Sequence, residues 1–472
     1  MRAPAAGAIA RAQERSASRA VPPIVPLHLS PAMPHGGDPE WPSARWVGAV
    51  DVADVTSVRV RLRDSGGYNH ARLLVREGVH VRGFVDLPVD GGWIDGSQLA
   101  AEIALLPVAP TTEFPSPATR RMRRKPAAGD RRRKELPANA TAGEPVPSIT
   151  VLVCTRDRAD QLRTSLAAIL RLDYPNFDVV VVDNASKTSA TRDLLAEEFA
   201  HPRIQLVSEP IAGLSRARNT GMLRAAGEIV AFTDDDVVVD PFWLKQLAAA
   251  YASAPGIDCV TGLVPSGELR TRVQGYFDDR VTWSKSIQPR VYSMSAPPAD
   301  LPMFPFCVGQ YGTGANFSLR RSAAHELGGF DTAFGVGTRT GGGEDLDMFT
   351  RVLLSGRSLA VQPSAIVWHR HRDDIAELKK QAKGYGTGLG SWLTKIIVSP
   401  RTFPIVIVRA PRALVRLVSI AWRRPAVSVV QSAGPADEFD RTIARVGWVE
   451  LASVTRGPWL FFRQRLAGER TL

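Results

Sequence analysis

Between Ser148 and Phe232 the chain alternates four compact apolar runs with amphipathic stretches, and this alternation constrains the fold more than any other feature. Ile149–Val153 and Val179–Val182 are short and apolar throughout, as parallel strands covered on both faces are. Between them, Asp160–Leu172 places Leu162, Leu166, Ile169 and Leu170 at helical spacing. Ala190–Phe199 repeats the helix, Ile204–Val207 the strand, Leu214–Ala226 the helix and Ile229–Phe232 the strand. The pattern predicts an α/β domain with a Rossmann-like parallel sheet, whose ligand lies at the carboxyl ends of the strands.

Polar residues follow those strand ends. Thr155-Arg156-Asp157 follows the first strand and Asp183-Asn184-Ala185-Ser186 the second. Asp234-Asp235-Asp236 follows the fourth, before Val237–Val239 resumes the apolar character. Three adjacent carboxylates are costly unless solvated or compensated, and a hard divalent cation with oxygen ligands, Mg2+ or Mn2+, is the natural compensation. Each cluster has an ordinary reading alone, Asp183-Asn184 as a helix cap for instance; three in register favour one crevice. Arg216, Arg218 and Asn219 open the helix before the fourth strand, where arginine can grip phosphate in a bidentate way or simply be solvated. Further on, Gly341-Gly342-Gly343 leads into Glu344-Asp345-Leu346-Asp347, with Met348, Val352 and Leu353 at helical spacing behind. Acids there complement a helix dipole or project a general base. Ile366-Val367-Trp368 closes a strand with His369 and His371, one of which can complete a metal shell.

The 472 residues suffice for two or three domains, and 44% hydrophobic with 22% charged residues is a globular composition. Residues 1–45 are expected to be disordered, 46–107 a small β-rich module in which Val58–Leu62 alternates strictly, and 108–147 a Pro/Arg linker. The α/β domain then spans 148–377 and a helical region 378–472. Cys154, Cys259 and Cys307 show no CxxC spacing, which speaks against a disulfide framework or zinc site and suits a reducing compartment. A net charge of +12 calls for an anionic partner. Part of it is the run from Arg120 to Lys134, which lacks interleaved aromatics and sits among prolines, so nucleic acid is not the expected partner. The uncharged runs Val21–Gly37 and Leu301–Leu319 are broken by proline or glycine, so neither is read as a membrane span. No apolar core follows Met1-Arg2 to make a signal peptide, and the Asn139-Ala140-Thr141 sequon is read as accidental. Lys395–Trp422 mixes Ile396-Ile397-Val398 and Phe403–Val408 with Arg401, Arg409, Arg412 and Arg416. An anionic membrane surface and an ordinary core with snorkelling arginines both fit it.

Six pieces, in order, resemble the family 2 glycosyltransferases, inverting enzymes of the GT-A fold. They are Val151–Arg156, Val181–Ser186, Gly213–Gly221, Phe232–Asp236, Gly328–Asp331 and Gly343–Asp347, covering with their surroundings about half the chain. The resemblance implies a nucleoside-diphosphate sugar donor. It implies that Asp183 contacts the nucleobase, and that Thr155, Arg156, Asp157, Arg216, Arg218, Asn219 and Asp235 line the donor site. Asp234 and Asp236 correspond to the family's DxD, with Asp236 the direct ligand of Mn2+ or Mg2+ and His369 a further one. Asp345 corresponds to the catalytic base, with Glu344 its fallback, and Gly312–Arg321, containing Gly314 and Asn316, to the donor-sugar strand. The acceptor is expected to be a glycan, a lipid-linked sugar or a small molecule, in cell-envelope, glycolipid or secondary-metabolite glycosylation. Processive members carry Gln-x-x-Arg-Trp; here Gln381 is followed by Ala-Lys-Gly-Tyr, which implies a non-processive enzyme, cytoplasmic or peripheral on the inner membrane face. The rivals are a basic nucleic-acid-binding protein and a sugar-nucleotide nucleotidyltransferase, but the Gly-rich loop of the latter is missing after the first strand, where Thr155-Arg156-Asp157-Arg158 stands.

Overall fold

The structure, a computed structural model, describes residues 26–55, 59–108, 146–281, 284–409, 411 and 438–468. Two three-stranded sheets come first. One joins β1 (Leu27–Leu29), β3 (Val60–Leu62) and β6 (Trp93–Ile94); the other joins β2 (Arg45–Asp51), β4 (His70–Glu77) and β5 (His80–Pro88). Helix α1 (Gly96–Leu105) packs on β5, started by Asp95, whose carboxylate accepts the Gln98 N–H at 3.0 Å. This unit departs from the expected plan at its start. It begins inside the stretch expected to be disordered: Leu29 and Met33 are buried, and the Ala32 N–H donates to the Val47 carbonyl at 2.9 Å. It also carries one α-helix, α1, beside its strands. Residues 1–25, Val58, the basic run and the Asn139 sequon lie outside the described residues.

The α/β domain follows with β7 (Ile149–Thr155), α2 (Ala159–Ile169), β8 (Phe177–Asn184), α3 (Ala190–Glu197), β9 (Ile204–Glu209), α4 (Leu214–Met222) and β10 (Ile229–Thr233). These four strands are parallel, in the order β9-β8-β7-β10. Register brings Thr155 beside Asp183 and Thr233 beside Val153, so their polar ends gather on one edge. Beyond β10 the sheet is mixed, not parallel as the alternation suggested. After β11 (Val237–Val239), α5 (Trp243–Ser253), β12 (Ile257–Leu263), α6 (Arg272–Arg280) and β13 (Arg290–Tyr292), strand β14 (Asn316–Arg320) inserts antiparallel between β10 and β12. The chain re-enters at the ligand edge instead of crossing back under the sheet, and Gly314 is left at that edge, just before β14. α7 (Arg321–Glu326), α8 (Glu344–Leu354) and β15 (Ser358–His369) complete a nine-stranded sheet ordered β11-β15-β12-β14-β10-β7-β8-β9, with β13 on β15. Separate apolar cores fill its two faces.

Helix α9 (Ile375–Val398) is capped by Asp374, which accepts the Ala376 and Glu377 N–H groups at 2.7 and 3.0 Å. α10 (Phe403–Arg409) turns away from it by 106°. α11 (Glu438–Val454) and α12 (Gly457–Gly468) then track α9. Ile443 and Val446 pack with Leu378 and Ala382, Val454 lies at Gly390, and Phe461 shares a core with Trp392 and Ile396. Two glycines of α9 allow these approaches. A Cβ on Gly386 would meet the Glu450 carbonyl at 2.2 Å, and one on Gly388 would meet the Gly342 backbone at 2.7 Å. No single described helix is long and apolar enough to cross a membrane.

The N-terminal unit is bolted to the α/β domain by charge and backbone. Arg72 meets the buried Asp278 at 2.6 Å, Arg76 meets Asp240 at 2.8 Å, and the Val81 N–H donates to Ser364 Oγ at 3.1 Å. Beneath them Val47, Leu74 and Val81 pack on Leu263, Leu269, Ile366 and Trp368.

Candidate active site

The three acids after β10 part company as the turn closes. β11 pairs antiparallel with β15 and sets Val237 opposite His369, which carries His369 Nε2 to 3.3 Å from Asp236 Oδ1. Asp234, Asp236 and His369 each offer a ligand atom, all within 4.8 Å of one another. Asp235 goes elsewhere. Its carboxylate accepts the Thr155 hydroxyl at 2.7 Å and Arg158 Nη1 at 3.0 Å, fastening the turn to β7. Thr155 and Asp235, expected to face the donor, are therefore occupied with each other.

Cations surround the acidic pair. Arg158 lies 3.2 Å and Arg372 3.5 Å from Asp236, and Arg218 lies 3.8 Å from Asp234. Burial pushes the Asp236 carboxyl up, but His369, Arg158 and Arg372 outweigh it and hold the group well below the usual carboxylate range. Burial raises Asp234 to about 6 against the pull of Arg218, although a third of its side chain is open to solvent. Burial alone would lower His369; its pairing with Asp236 raises it instead. His371 packs behind, its Nδ1 3.2 Å from His369 Nδ1, and burial followed by the His369 charge lowers it to about 3.

On the opposite wall, Gly343 takes a left-handed φ of 91° and starts α8. Asp345 Oδ2 accepts the Gly314 N–H at 2.9 Å, while its Oδ1 accepts the Leu346 N–H at 2.8 Å. Glu344 is buried. Its Oε1 meets Arg218 Nη1 at 3.2 Å, and its Oε2 has no hydrogen-bond partner among the described residues. Burial, then the Asp345 charge, raise Glu344 to about 7 against Arg218. Arg218 is only 2% exposed and also donates to the Gly314 carbonyl at 2.9 Å, with the Phe317 and Phe330 rings each 5.4 Å from its guanidinium carbon. It ties the acidic turn to the loop carrying Glu344 and Asp345, where the sequence left a phosphate contact and a solvated helix face both open.

Other expected residues sort by what holds them. Asp183 accepts the Ser186 hydroxyl; Asp157, at φ 52°, accepts the Lys187 N–H at 2.8 Å and donates its own to Ser186 at 3.1 Å. With the exposed Arg156 they rim the ends of β7 and β8. Arg216 is partly exposed on α4. Asn219 clamps the Phe330 backbone through both ends of its amide, at 2.7 and 2.9 Å. Asn316 is fully buried; its amide accepts from Trp243 Nε1 at 2.8 Å and donates to the Leu263 and Ala365 carbonyls at 2.9 and 2.8 Å. That amide has no donor left for a sugar, so Asn316 is a structural tie here. Arg158, Arg372 and Tyr385 were not anticipated. Tyr385 is 42% exposed, its hydroxyl accepts from Gln381 at 3.1 Å, and burial and then the Asp345 charge raise its phenol. The one available signal was their position: two arginines close behind strand ends and an aromatic one turn after Gln381.

Comparison with known proteins gives the family. A family model described as Glycosyl transferase family 2 matches residues 150–328. Succinoglycan biosynthesis protein ExoM of Rhizobium meliloti (strain 1021) is 30% identical over 248 residues, 50% of this chain and 71% of that protein. The chain is a family 2 glycosyltransferase. Its α/β domain is a GT-A fold. Pre-mycofactocin glycosyltransferase of Mycobacterium tuberculosis (strain CDC 1551 / Oshkosh) is 27% identical over 278 residues, 57% of this chain, and the chain spans about half that relative's length, 53%. Among solved structures, mannosyltransferase PcManGT from Pyrobaculum calidifontis, in complex with GDP-Man and Mn2+, is similar at a TM-score of 0.43 and 22% identity, over 67% of this chain and 88% of that one.

Proposed function

We propose that this glycosyltransferase moves a sugar from a nucleoside-diphosphate donor to an acceptor hydroxyl by a single inverting displacement, with Asp345 as general base. One observation carries the reading. Arg218 reaches from Asp234 to Glu344, and Gly314 joins Arg218 to Asp345, so the acidic pair and the candidate base share one opening.

Two carboxylates and an imidazole with converging ligand atoms fit a hard divalent cation such as Mn2+ or Mg2+, held by Asp234, Asp236 and His369. Bound there, it would supply positive charge to the departing diphosphate. Arg158 and Arg372, beside Asp236, add fixed charge for the same phosphates. Asp183, at the end of β8, takes the nucleobase. Asp345 is held by two N–H groups, from Gly314 and Leu346, that keep its carboxylate oriented. It accepts the acceptor's proton as the hydroxyl attacks opposite the leaving nucleotide, through an oxocarbenium-like transition state. Glu344, buried on Arg218, steadies the loop and is the fallback base. Tyr385, exposed on α9 with its phenol within reach of the Asp345 charge, offers a ring for an acceptor sugar or ring to rest on. The acceptor class we favour is a glycan, a lipid-linked sugar or a small molecule met at the cytoplasmic face, one transfer at a time.

Thermal melting with a panel of nucleoside diphosphates, with and without Mn2+, tests the reading. One nucleotide is expected to raise the melting temperature of the wild type only with metal, and Asp236→Ala is expected to remove the shift. A shift of equal size in Asp236→Ala, or none with any nucleotide, would overturn it.

A further inference from the structure

Most of the large apolar side chains left exposed on the described surface are gathered at one end of the sequence. Ten of the seventeen lie between Ile397 and Leu466. On α11 and α12 they fall in a regular order. Trp448, Leu451, Thr455, Trp459, Phe462 and Leu466 are exposed at steps of three or four, a helical face carried across the break between the helices. The five apolar members are 50% to 72% exposed. Ile443, Val446 and Phe461 are buried in the cores shared with α9, so this second apolar stripe faces away from the protein. At 1.5 Å per residue it is roughly 27 Å long.

The charge around it has one sign. Arg445, Arg456, Arg463 and Arg465 are exposed, and the Arg463 guanidinium lies 4.6 Å from the Trp459 ring centre. Glu450, the single acid between Arg441 and Ala467, is engaged by Arg280. From Lys395 onward the chain has thirteen Lys and Arg against five Asp and Glu, so this end holds eight of the twelve net positive charges. Asp331 receives both Lys395 of α9 and Arg465 of α12, which brings the end of the stripe beside the exposed Ile397 and Val398.

We propose that the outer face of α11 and α12 is a docking surface for an anionic lipid bilayer. Tryptophans with flanking arginines suit the headgroup boundary, where rings enter the acyl edge and guanidinium groups stay with lipid phosphate. A nucleic acid would satisfy the arginines and leave the leucines and phenylalanine exposed to water. α9 lies between this face and the Gly341–Gly343 loop, which it touches through Gly388. Docking therefore sets the opening at a fixed height over the bilayer. The inference goes beyond the donor chemistry and does not depend on it.

The full chain is to be sedimented with vesicles of phosphatidylcholine alone and with added phosphatidylglycerol. Wild type is expected to pellet with the anionic vesicles and to be released by salt. Trp459→Ser/Phe462→Ser/Leu466→Ser and, separately, Arg456→Glu/Arg463→Glu are each expected to reduce partitioning ~10-fold or more. Circular dichroism melts check that the variants fold. Should the serine variant not fold, quenching of wild-type tryptophan emission by brominated lipid, reduced in Trp459→Phe, carries the test. Wild type remaining in the supernatant with both vesicles would overturn the proposal, as would variants that bind like wild type. So would a concentration-dependent dimer, seen by light scattering without vesicle binding and abolished by the serine variant.

Discussion

Replacing Gly388 by alanine tests whether the C-terminal helices set the position of the proposed base, Asp345. The new Cβ would stand 2.7 Å from the Gly342 carbonyl carbon and 3.0 Å from Gly343 N, both backbone atoms that no rotamer change can move aside. Restoring an ordinary contact near 3.4 Å shifts the loop by about 0.7 Å. Asp345 begins two residues after that loop, and misplacing a reacting group by about 1 Å costs ~100-fold in rate. Gly388→Ala should therefore lower kcat by roughly ten- to a hundredfold, with nucleotide affinity near wild type because the acidic turn lies on the other wall. For stability, overpacking costs about 1–3 kcal/mol, offset by about 1 kcal/mol of helix propensity. Gly447→Ala on α11 separates the two terms: its Cβ meets nothing nearer than Arg280 Nη1 at 4.0 Å, so it should stabilise by about 1 kcal/mol. Initial rates over donor concentration, with melts of both variants, read all of this. A Gly388→Ala enzyme with wild-type kcat would refute the coupling of α9 to the base, and equal stabilisation by both alanines would refute the clash.

Asp345→Asn should cost ~10²–10⁴-fold in kcat and leave calorimetric donor binding unchanged; lost donor binding, or retained turnover, would remove it from the role of base. Arg72→Met, which strands the buried Asp278, should destabilise by about 3 kcal/mol at neutral pH. Burial pushes the Asp278 carboxyl up, but Arg72, Ser266 and Lys285 outweigh it and hold it below 3.8, so the pair's stabilisation is complete above that value and lost as pH falls through the lowered one. The wild-type advantage in melting temperature over Arg72→Met should thus shrink on acidification below about pH 4, and a gap independent of pH would reject the pairing.

Much of the α/β half was legible because its signals are local. The apolar runs at Ile149–Val153 and Ile229–Phe232 extend by only one or two residues as strands, since a strand buried on both faces must be apolar along its length. The convergence of Asp234 and Asp236 follows from their place at the end of β10, where parallel strands deliver their ligands. Asp235 was misread because three identical letters give no hint which carboxylate turns back to Thr155 and Arg158. Asn316 was misread for a related reason: an amide near a pocket in sequence looks alike whether it serves a sugar or Trp243.

Residue order specified the strands, their helical crossovers, the acidic turn and the loop that ends at Glu344 and Asp345, all set by periodicity and by bonds between near neighbours. Tertiary packing alone decided the antiparallel entry of β14, the passage of Arg218 from Asp234 to Glu344, and the outward face of α11 and α12. Each joins residues distant in the chain, about 100 apart for Arg218 with Gly314 and 126 for Arg218 with Glu344. Their pairing follows from which buried charge must be met and which apolar face finds no cover, conditions that exist only once the chain has closed around them.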